Sequence, residues 1–573
     1  MQKLIKKRPL LTTEILSEKP LLNRVYQSRG IKSTQELDYS LQRLHRPNLF
    51  SHITQAVDLL IQAYKQKSRI MVVGDFDADG ATSTALAIIA LRQLGFEKID
   101  YLIPDRFSQG YGLSLSVAEM VIAKGTDLVL TVDNGISSLE GVELLKNQHI
   151  QVLITDHHLP PEVLPNADAM VNPNLVSCQF PSKSLAGVGV IFYVMMALRT
   201  RMRELNLFEN RIEPNFAELL DLVALGTVAD VVPLDQNNRI LVHQGLQRIR
   251  TGNCRTGIKA LAEVGKRDLL TLQAADLGFA IAPRLNAAGR LENMSLGVEL
   301  LLCENMESAR KLAFELDSLN QMRKEFEQEM KTEALSICAK LPLVTDSEQT
   351  YGIVLYQADW HQGVIGILAS RIKDQFHRPV IAFAQESEES EYLKGSARSI
   401  AGLHMRDLLE HINMQYPELM TKFGGHAMAA GLTIHQSQLE MFKHIFNQSI
   451  SEILAPEQLQ GIIYTDGELE AAEFTLESAE LIRNAGPWGQ HFPEPIFEGE
   501  FAILQQKLLA GKHLKLMLQT EQGQLIDAIW FNVDVSLYPD LSIKKARIVY
   551  KLDINEFRGN STLQLKVEYL EYI

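Results

Sequence analysis

The sequence predicts an α/β protein with a parallel-sheet domain, a long connecting helix, a smaller α/β domain and a C-terminal antiparallel β-barrel. Three observations lead to this prediction. Short apolar runs alternate with helical segments from about residue 69, residues 296–340 contain no proline, and alternating apolar and polar residues dominate after about residue 460. Buried strands separated by helices are typical of a parallel sheet that is covered on both faces.

The composition is that of a folded protein with several domains. Its 573 residues exceed one hydrophobic core, so we expect about two to four domains. The hydrophobic fraction of 46% and the charged fraction of 22% exclude a disordered or fibrous chain. Taken alone, the net charge of −14 argues against nucleic acid as a partner, because Lys and Arg drive phosphate binding.

Cysteine usage and hydropathy predict a cytoplasmic protein. The four cysteines are far apart in the sequence, which favours a reducing compartment over a disulfide framework or a zinc motif. Charges and a proline interrupt residues 1–20, so we expect no signal peptide. The apolar run Ala85–Leu91 is far shorter than the ~20 residues that span a bilayer, so we expect no membrane partner.

Residues 1–48 are predicted to form a basic N-terminal segment. Residues 1–50 hold ten basic and four acidic residues, a balance opposite in sign to that of the whole chain. Two interpretations remain open for this segment, a solvated arm or a contact to nucleic acid.

The parallel-sheet domain is predicted over residues 49–295. Its buried strands are expected at Ile70–Val73, Leu128–Val132 and Val152–Ile154, and its first helix at Ala81–Leu94. In an open parallel sheet, ligands bind in the crevice beyond the carboxyl ends of the strands.

Each of these three strands runs into acidic or histidine residues. The residues that follow a strand end are Asp75, Asp77, Asp79, Asp133, Asp156, His157 and His158. A further candidate is Asp230, which follows an apolar stretch where an isolated charge would be costly without a partner. We therefore expect these side chains to converge in one crevice.

Several carboxylates cannot share a small site unless cations neutralise them. Oxygen ligands with one or two imidazoles suit Mn²⁺ or Mg²⁺. Two such ions about 3.5–4 Å apart would clamp a phosphate and support hydrolysis of a phosphodiester. One Asp-x-Asp-x-Asp run alone is also typical of a turn or a calcium loop, but its combination with two further strand ends favours a metal-dependent phosphoesterase.

The remainder of the chain is predicted in three parts. Residues 296–345 form the connecting helix or a helical pair, and residues 346–458 form the smaller α/β domain, which begins with the strand Ile353–Tyr356. Residues 459–573 form the barrel, because their segments alternate between apolar and polar residues around glycine turns. A P-loop ATPase is disfavoured, because the sequence contains no GxxxxGK[ST] motif.

These motifs make the chain similar to the DHH superfamily of phosphoesterases, which is named for the triplet at 156–158. The order of the motifs resembles that in the single-strand-specific exonucleases of this superfamily. The motifs are GDFDADG (74–80), IPDR (103–106), VDNGI (132–136), TDHH (155–158), ALGTVADVVPL (224–234) and PRLNAAGR (283–290).

The second half of the chain carries further resemblances. Residues 346–458 resemble the accessory DHHA1 domain, which binds substrate, and residues 459–573 resemble an oligonucleotide-binding (OB) barrel. The DHHA1 motifs are WHQGVIGI (360–367), GSARS (395–399) and FGGHAMAAG (423–431). The resemblance covers roughly residues 45–573.

The resemblance implies a site with two divalent ions, Mn²⁺ or Mg²⁺. The implied ligands are Asp77, Asp79, Asp133, His157 and Asp230. Asp133 would bridge the ions and, with Asp75, lie at the catalytic centre. His158 would act on the scissile phosphate or the leaving oxygen, and Asp156 would orient a histidine.

The resemblance also implies a set of substrate-binding residues. Arg106 would bind a 5′-phosphate, and either Arg284 or Arg290 would contact phosphate. In the DHHA1 domain the implied residues are Ser396, Arg398, Gly424, Gly425 and His426. Glycines let backbone N–H groups approach a phosphate closely, and arginine offers a planar fork of donors.

The function that the resemblance implies is a 5′→3′ exonuclease specific for single-stranded DNA, which releases 5′-mononucleotides in DNA repair and recombination. The implied partners are single-stranded DNA, a single-strand DNA-binding protein and a RecQ-type helicase, at the nucleoid in the cytoplasm. Two alternatives remain: a DHH phosphatase or phosphodiesterase for short oligonucleotides or cyclic dinucleotides, and an inactive scaffold. The long tail argues against the first, and the complete ligand set against the second.

Overall fold

The computed structural model describes residues 3–341, 350–387, 389–557 and 559–573. Its chain divides into two compact units. The larger unit comprises Lys7–Asn320 and Thr465–Ile573, and the smaller unit comprises Met1–Lys6 and Gln321–Tyr464. Within the described ranges, no helix combines the length and the hydropathy that crossing a bilayer requires.

Helices and strands alternate through most of the chain. The α-helices are α1 Pro20–Ser28, α2 Ile53–Gln66, α3 Ala78–Gln93, α4 Leu115–Ala123, α5 Leu139–Asn147, α6 Gly187–Glu204, α7 Leu220–Ala229, α8 Gln236–Arg250, α9 Thr256–Val264, α10 Ala274–Asp276, α11 Ala282–Leu291, α12 Ser295–Leu302, α13 Met306–Cys338, α14 Ile365–Phe376, α15 Met405–Gln415, α16 Leu439–Ile453 and α17 Leu476–Ala485. A π-helix, Leu277–Ile281, joins α10 to α11.

The strands form two open sheets, a short two-stranded pair and a barrel. They are β1 Leu4–Lys7, β2 Ile70–Val73, β3 Ile99–Leu102, β4 Leu128–Val132, β5 Gln151–Thr155, β6 Ala169–Val171, β7 Ile353–Tyr356, β8 Val380–Gln385, β9 Tyr392–Arg398, β10 Lys422–Gly425, β11 Ala429–His435, β12 Ile462–Thr465, β13 Phe497–Leu509, β14 His513–Gln519, β15 Leu525–Trp530, β16 Lys545–Phe557 and β17 Asn560–Tyr572.

The central sheet of the larger unit is parallel, as the sequence predicts, in the order β3-β2-β4-β5-β6. Side chains of β2 alternate between its two faces. Ile70 and Val72 join the core formed with α2, α3, α6 and α7, whereas Met71 and Val73 join the core formed with α4 and α5. Helices therefore cover both faces of the sheet, and the edge beyond the strand ends is left to the polar residues.

Helix α3 begins three residues before the predicted start. Asp77 is its N-cap, and the Asp77 carboxylate accepts hydrogen bonds from the backbone N–H groups of Asp79 and Gly80. A capping carboxylate satisfies N–H groups that have no partner within the helix. Asp79 and Gly80, which the sequence places in a turn, therefore belong to the first turn of the helix.

The C-terminal barrel is closed, in the order β13-β14-β15-β17-β16. The prediction of a barrel is confirmed, but the prediction that it is wholly antiparallel is wrong, because β15 and β17 run parallel with Ala528 opposite Leu565. A closed ring with an odd number of strands cannot alternate direction at every neighbour, so five strands require one parallel pair.

The smaller unit contains a mixed sheet in the order β10-β11-β9-β8-β7. Strands β7 and β8 are parallel and are connected by α14, whereas the other neighbours are antiparallel. The predicted strand Ile353–Tyr356 is confirmed as β7. Of the two forms expected for residues 296–340, the structure has the helical pair, α12 followed by the 33-residue α13.

Basic residues of the N-terminal segment pair with carboxylates near the barrel. Arg29 and Asp466 form an ion pair whose side chains are 1% and 0% exposed, and Arg29 also donates hydrogen bonds to the Pro493 carbonyl. Arg24 pairs with Glu473. These contacts tie α1 to the segment that enters the barrel, so part of the local positive charge has a structural use.

We predict that Asp466→Asn destabilises the protein by about 3–5 kcal/mol, because it leaves the Arg29 guanidinium buried without its counter-charge. The free energy of unfolding from urea titration measures the effect. Glu477→Gln is the matched control, because it breaks the exposed Lys19–Glu477 pair of the same interface and should cost less than about 1 kcal/mol. Equal losses for the two variants would contradict the assignment.

Candidate metal centre and phosphate-binding residues

The ends of three neighbouring strands bring the predicted residues together. Val73 of β2 lies beside Thr131 of β4, and Val132 of β4 lies beside Thr155 of β5. The residues that follow these strands therefore leave the sheet at the same edge. This is the crevice in which ligands of open parallel sheets bind.

The loop after β2 is shaped by close backbone packing. A Cβ atom on Gly80 would lie 2.3 Å from the Asp75 carbonyl oxygen, so only glycine fits there. The Asp75 side chain accepts a hydrogen bond of 2.7 Å from the Phe76 backbone N–H. The tight loop holds Asp75 and Asp77 next to the N-terminus of α3.

Asp79 connects two helices at the base of the site. Its carboxylate oxygens accept hydrogen bonds from the backbone N–H groups of Gly187 (2.6 Å) and Val188 (3.0 Å), at the start of α6. The N-terminus of a helix stabilises negative charge. A Cβ atom on Gly187 would lie 2.5 Å from the Asp133 Cβ, so the absence of a side chain lets α6 approach the site.

Asp133 lies at the centre of the crevice in a left-handed backbone conformation. Its backbone φ is 62°, and Asp133 is only 2% exposed. The Oδ1 atom has no hydrogen-bond partner among the described residues. The neighbouring Asn134 amide donates hydrogen bonds to the carbonyls of Val73 and Val132, which ties the turn to two strands. An aspartate in this uncommon conformation at a strand end indicates a functional constraint.

His157 faces two carboxylates. Its Nε2 lies 3.1 Å from Asp133 Oδ1 and 3.5 Å from Asp230 Oδ2. Within the part of the chain that the structure describes, none of these three buried atoms meets the geometry of a hydrogen bond. Buried polar atoms are rarely left without a partner. Three that point toward one another fit the ligands of a cation.

His158 is held by Asp156. The Asp156 carboxylate accepts hydrogen bonds from His158 Nδ1 at 2.7 Å and from the backbone N–H groups of Ile136, His157 and His158. Burial alone would raise the pKa of Asp156, but these bonds and the histidine charge hold it at about 2. Burial would likewise lower the pKa of His158, but Asp156 raises it to about 9.

The potential ligand atoms form three overlapping groups, each within 4.8 Å. The groups are Asp75, Asp77 and Asp133; Asp133, His157 and His158; and Asp79, His157 and Asp230. All five residues proposed as metal ligands are therefore in one cluster. Its carboxylate oxygens and imidazole nitrogens suit Mn²⁺ or Mg²⁺.

The cluster carries more negative charge than the protein alone neutralises. Burial and the neighbouring Asp230 raise the pKa of Asp79 to about 7, and burial and Asp77 raise that of Asp230 to about 8. The pKa values of Asp75 and Asp133 are raised well above normal for the same reasons. Full ionisation at neutral pH therefore requires cations.

His157 is suited to be a ligand because burial, together with the charge of His158, lowers its pKa. A histidine must be neutral to coordinate a metal. The two adjacent histidines thus have opposite electrostatic environments, and only His158 is held in its charged form.

Arg106 lies beside the first acidic loop. Its guanidinium carbon is 4.1 Å from the centroid of the Phe76 ring, and its buried Nε has no hydrogen-bond partner among the described residues. Burial lowers the pKa of Arg106, while Asp75 and Asp77 oppose this shift. A stacked guanidinium with an unused donor can bind an anion.

The two arginines of the PRLNAAGR motif differ in their surroundings. Arg284 forms an ion pair with Asp317 at 2.8 Å and donates to the carbonyl of Ala280. Arg290 follows Gly289, where a Cβ atom would lie 1.8 Å from the Phe76 carbonyl oxygen. The end of α11 that carries Arg290 therefore contacts the acidic loop, whereas Arg284 is occupied by structural contacts.

The predicted DHHA1 residues lie together within the smaller unit. Gly431 of β11 pairs with Ser396 of β9 on one side and with Gly424 of β10 on the other. Arg398 donates to the Ser396 hydroxyl at 3.1 Å and has no acidic partner in the described part of the chain. Burial lowers the pKa of Arg398.

The glycine loop of this unit is a tight turn. Gly425 has a φ of 140°, and a Cβ atom there would lie 2.5 Å from the Ala429 carbonyl oxygen. The backbone N–H of His426 donates to the same carbonyl. Both Gly424 and His426 are exposed, so the loop is open to a ligand.

The sequence analysis did not identify three residues that contact the side chains of the site. The hydroxyl of Tyr111 lies 3.3 Å from both ring nitrogens of His158, Asn134 fixes the Asp133 turn, and Gly187 donates to Asp79. Asn134 lies inside the VDNGI motif, so its position in the sequence could have indicated a role in the site. Tyr111 and Gly187 lie in a polar turn and at a helix start, where the sequence pattern does not distinguish them.

Comparisons with known protein families match three parts of the chain. Residues 69–227 match the DHH family N-terminal domain, residues 349–452 match the DHHA1 domain, and residues 465–569 match the RecJ OB domain. These matches agree with the order of motifs along the sequence.

Two curated relatives are similar over nearly the whole chain. The single-stranded-DNA-specific exonuclease RecJ of Haemophilus influenzae is 61% identical over 576 residues, which cover 100% of both chains. The protein of the same name from Escherichia coli is 56% identical over 552 residues, which cover 96% of this chain and 95% of the relative.

Solved structures give the same result. The crystal structure of Thermus thermophilus RecJ in complex with Mn²⁺ matches with a TM-score of 0.80 at 28% identity, covering 99% of this chain and 79% of that chain. A manganese-bound exonuclease RecJ matches with a TM-score of 0.59 at 33% identity, covering 71% and 97%. The shared fold and the identity along the full sequence lead to one conclusion: the chain belongs to the RecJ family of the DHH superfamily.

Proposed function

We propose that the protein is a metal-dependent exonuclease that degrades single-stranded DNA from its 5′ end and releases 5′-mononucleotides in DNA repair and recombination. The observation that carries the proposal is the cluster of buried carboxylates and histidines at three strand ends, in a chain of the RecJ family. Its cofactors are two divalent ions, Mn²⁺ or Mg²⁺.

The acidic cluster would hold the ions through Asp77, Asp79, Asp133, His157 and Asp230. Bound divalent ions would neutralise charge on the phosphate oxygens and lower the pKa of the attacking water. Asp133 and His157 each belong to two of the overlapping groups, and a bridging position is proposed for Asp133 because only its carboxylate offers two oxygens. Asp75 lies beside Asp77 and Asp133 and would help to orient the nucleophile.

His158 would donate a proton to the leaving oxygen. Its Nδ1 is bonded to Asp156, so Nε2, which lies 3.3 Å from the Tyr111 hydroxyl, would be the donor, and Asp156 raises the pKa of the ring, which favours its protonated form. A general acid must hold its proton at the working pH and reach the leaving group. Tyr111 would restrict the rotation of the His158 ring through its hydroxyl contact.

The polarity of the reaction would come from binding of the 5′-phosphate by Arg106. Its stacking on Phe76 and the unused Nε support this role. Of the two arginines left open by the sequence, we favour Arg290 for a second phosphate contact, because it follows Gly289, at which α11 meets the acidic loop at Phe76.

The smaller unit would bind the strand through Ser396, Arg398, Gly424, Gly425 and His426. A half-buried guanidinium without an acidic partner among the described residues supports binding of a phosphate by Arg398. Gly366 contributes to this surface, because a Cβ atom there would lie 2.8 Å from an Arg398 terminal nitrogen.

Family membership also supports two partners and a location. We propose that the protein works with a single-strand DNA-binding protein and a RecQ-type helicase at the nucleoid in the cytoplasm. The alternative of a small-molecule DHH phosphodiesterase is disfavoured by the match to the RecJ OB domain at residues 465–569.

Digestion of end-labelled DNA tests the activity. With Mn²⁺ or Mg²⁺, a 5′ label on a single strand should be released at once as a mononucleotide, whereas a 3′ label should remain on progressively shorter products. Duplex DNA should resist, and EDTA should stop the reaction, because the carboxylate cluster needs its cations. Digestion that survives EDTA, or equal digestion of duplex and single strand, would refute the proposal.

Asp133→Asn should reduce the cleavage rate by at least about 10²-fold, more than the loss of an outer partner of a metal site costs. Asp100→Asn is the matched control, because Asp100 lies on β3 of the same sheet in an exposed pair with Lys124. Circular dichroism should show both variants folded. Wild-type cleavage by Asp133→Asn would contradict the metal assignment.

Divalent ions should raise the melting temperature of the protein more at about pH 8.5 than at about pH 6. Raised pKa values in the folded state, about 7 for Asp79 and about 8 for Asp230, mean that stability of the metal-free protein falls as pH rises through this range. Cations relieve the repulsion between ionised carboxylates, and protons compete with them at low pH.

Differential scanning fluorimetry with and without Mg²⁺ measures this increase. Asp230→Asn removes one of the titrating groups and should weaken the dependence of the increase on pH. An increase that is the same at both pH values would show that the raised pKa values do not govern metal binding.

A further inference from the structure

A cavity of about 360 Å³ lies in the larger unit, and its lining includes residues on either side of Asp230 in the sequence. It is bounded by the end of α7, the π-helix and the segment between α17 and the barrel. Its size falls within the range of about 300–1,000 Å³ that is typical of sites for small molecules. None of the residues proposed for catalysis or metal binding lines it, so it needs its own explanation.

The first wall is a strained residue next to a proposed metal ligand. Val231 follows Asp230 and has a φ of 60°, although a β-branched residue rarely adopts a left-handed conformation. The Val231 side chain also lines the cavity, and the residue is 62% exposed. Strain and apolar exposure at one position both cost stability, which indicates a functional use.

The second wall is the π-helix, a rare conformation that is frequent at functional sites. Phe279 of this helix lines the cavity and is 86% exposed. Gly278 brings this wall close to α7, because a Cβ atom there would lie 3.3 Å from Val228. The cavity lining therefore includes an aromatic ring that is open to solvent, as well as the strained valine.

The remaining lining supplies polar atoms and positive charge. The Thr227 hydroxyl has no hydrogen-bond partner among the described residues, and the exposed Gln490 lies at the rim. Lys551 and Arg483 also line the cavity, each in an ion pair with a glutamate. The lining therefore combines an apolar face with polar groups and with two cations whose charge is balanced by glutamates, one of which, Glu494, also lines the cavity.

We propose that this cavity binds one base of the single-stranded substrate, with Phe279 stacking on the base and Val231 packing on its other side. The inference rests on the proposed function. A base presents a flat apolar face and a polar edge, and the lining offers apolar side chains for the first and polar groups for the second. Val231 lines the cavity and directly follows the proposed metal ligand Asp230, so we expect the bound base to belong to a nucleotide near the scissile phosphate.

Competitor strands with one abasic residue test the proposal. Unlabelled strands, each lacking the base at a different position from the 5′ end, compete with a labelled strand during initial-rate cleavage. For the wild type, we expect one position at which loss of the base weakens inhibition by about tenfold, the factor that corresponds to about 1.4 kcal/mol of stacking.

Phe279→Ala should lose the abasic effect at that position and retain the profile elsewhere. Phe279→Trp should preserve it, because a ring remains for stacking. Phe314→Ala is the matched control, because Phe314 is also an exposed phenylalanine of the larger unit but lies on α13, outside the cavity. The melting temperature and its rise with Mn²⁺ show whether each variant is folded.

A wild-type profile for Phe279→Ala would overturn the base-binding site, and so would equal weakening of every competitor. A wild type that is insensitive to abasic residues at all positions would overturn it as well. The absence of any metal-dependent cleavage by the wild type would instead refute the proposed function, so the two failures are distinguishable.

Discussion

Buried carboxylates that repel one another lie at the edge of the central sheet, and the surrounding contacts hold them together. Asp75, Asp79 and Asp133 are each at most 4% exposed, and burial and proximity raise the pKa of all three. The fold keeps them together through many small contacts, including the N-terminus of α6 on Asp79 and the cap that Asp77 provides for α3. These contacts fix the positions of the carboxylates, but they do not neutralise them. Bound cations are needed to balance the excess negative charge when the carboxylates are ionised.

The same electrostatic view resolves the conflict between a net charge of −14 and a nucleic-acid substrate. The whole-chain charge includes the acidic cluster, which divalent ions neutralise, and many surface residues that face water. Positive charge is instead local. Arg106 and Arg398 are half-buried cations whose pKa values burial lowers, and neither forms an ion pair with an acidic residue in the described part of the chain. By contrast, Arg29 and Arg24 of the N-terminal segment are engaged in structural pairs.

The sequence was sufficient to predict the parallel sheet and the residues at its edge, because strand ends and acidic motifs are local patterns. Asp133 and Asp230 are 97 positions apart in the sequence, yet each could be identified from its local surroundings. Asp133 follows a predicted strand, and Asp230 is a charge next to an apolar stretch. Features that depend on contacts between distant segments could not be predicted from local sequence patterns. The Gly187 N–H that reaches Asp79, the Tyr111 contact to His158 and the parallel pair β15–β17 arise only when distant segments meet.

The central claim is that this cluster holds two divalent ions around Asp133. Anomalous diffraction at the manganese edge, from crystals grown with Mn²⁺, tests it most directly. We expect two manganese peaks inside the cluster, one beside Asp77 and one beside His157 and Asp230, both against the Asp133 carboxylate. A single peak, or peaks that lie away from Asp133, would contradict it.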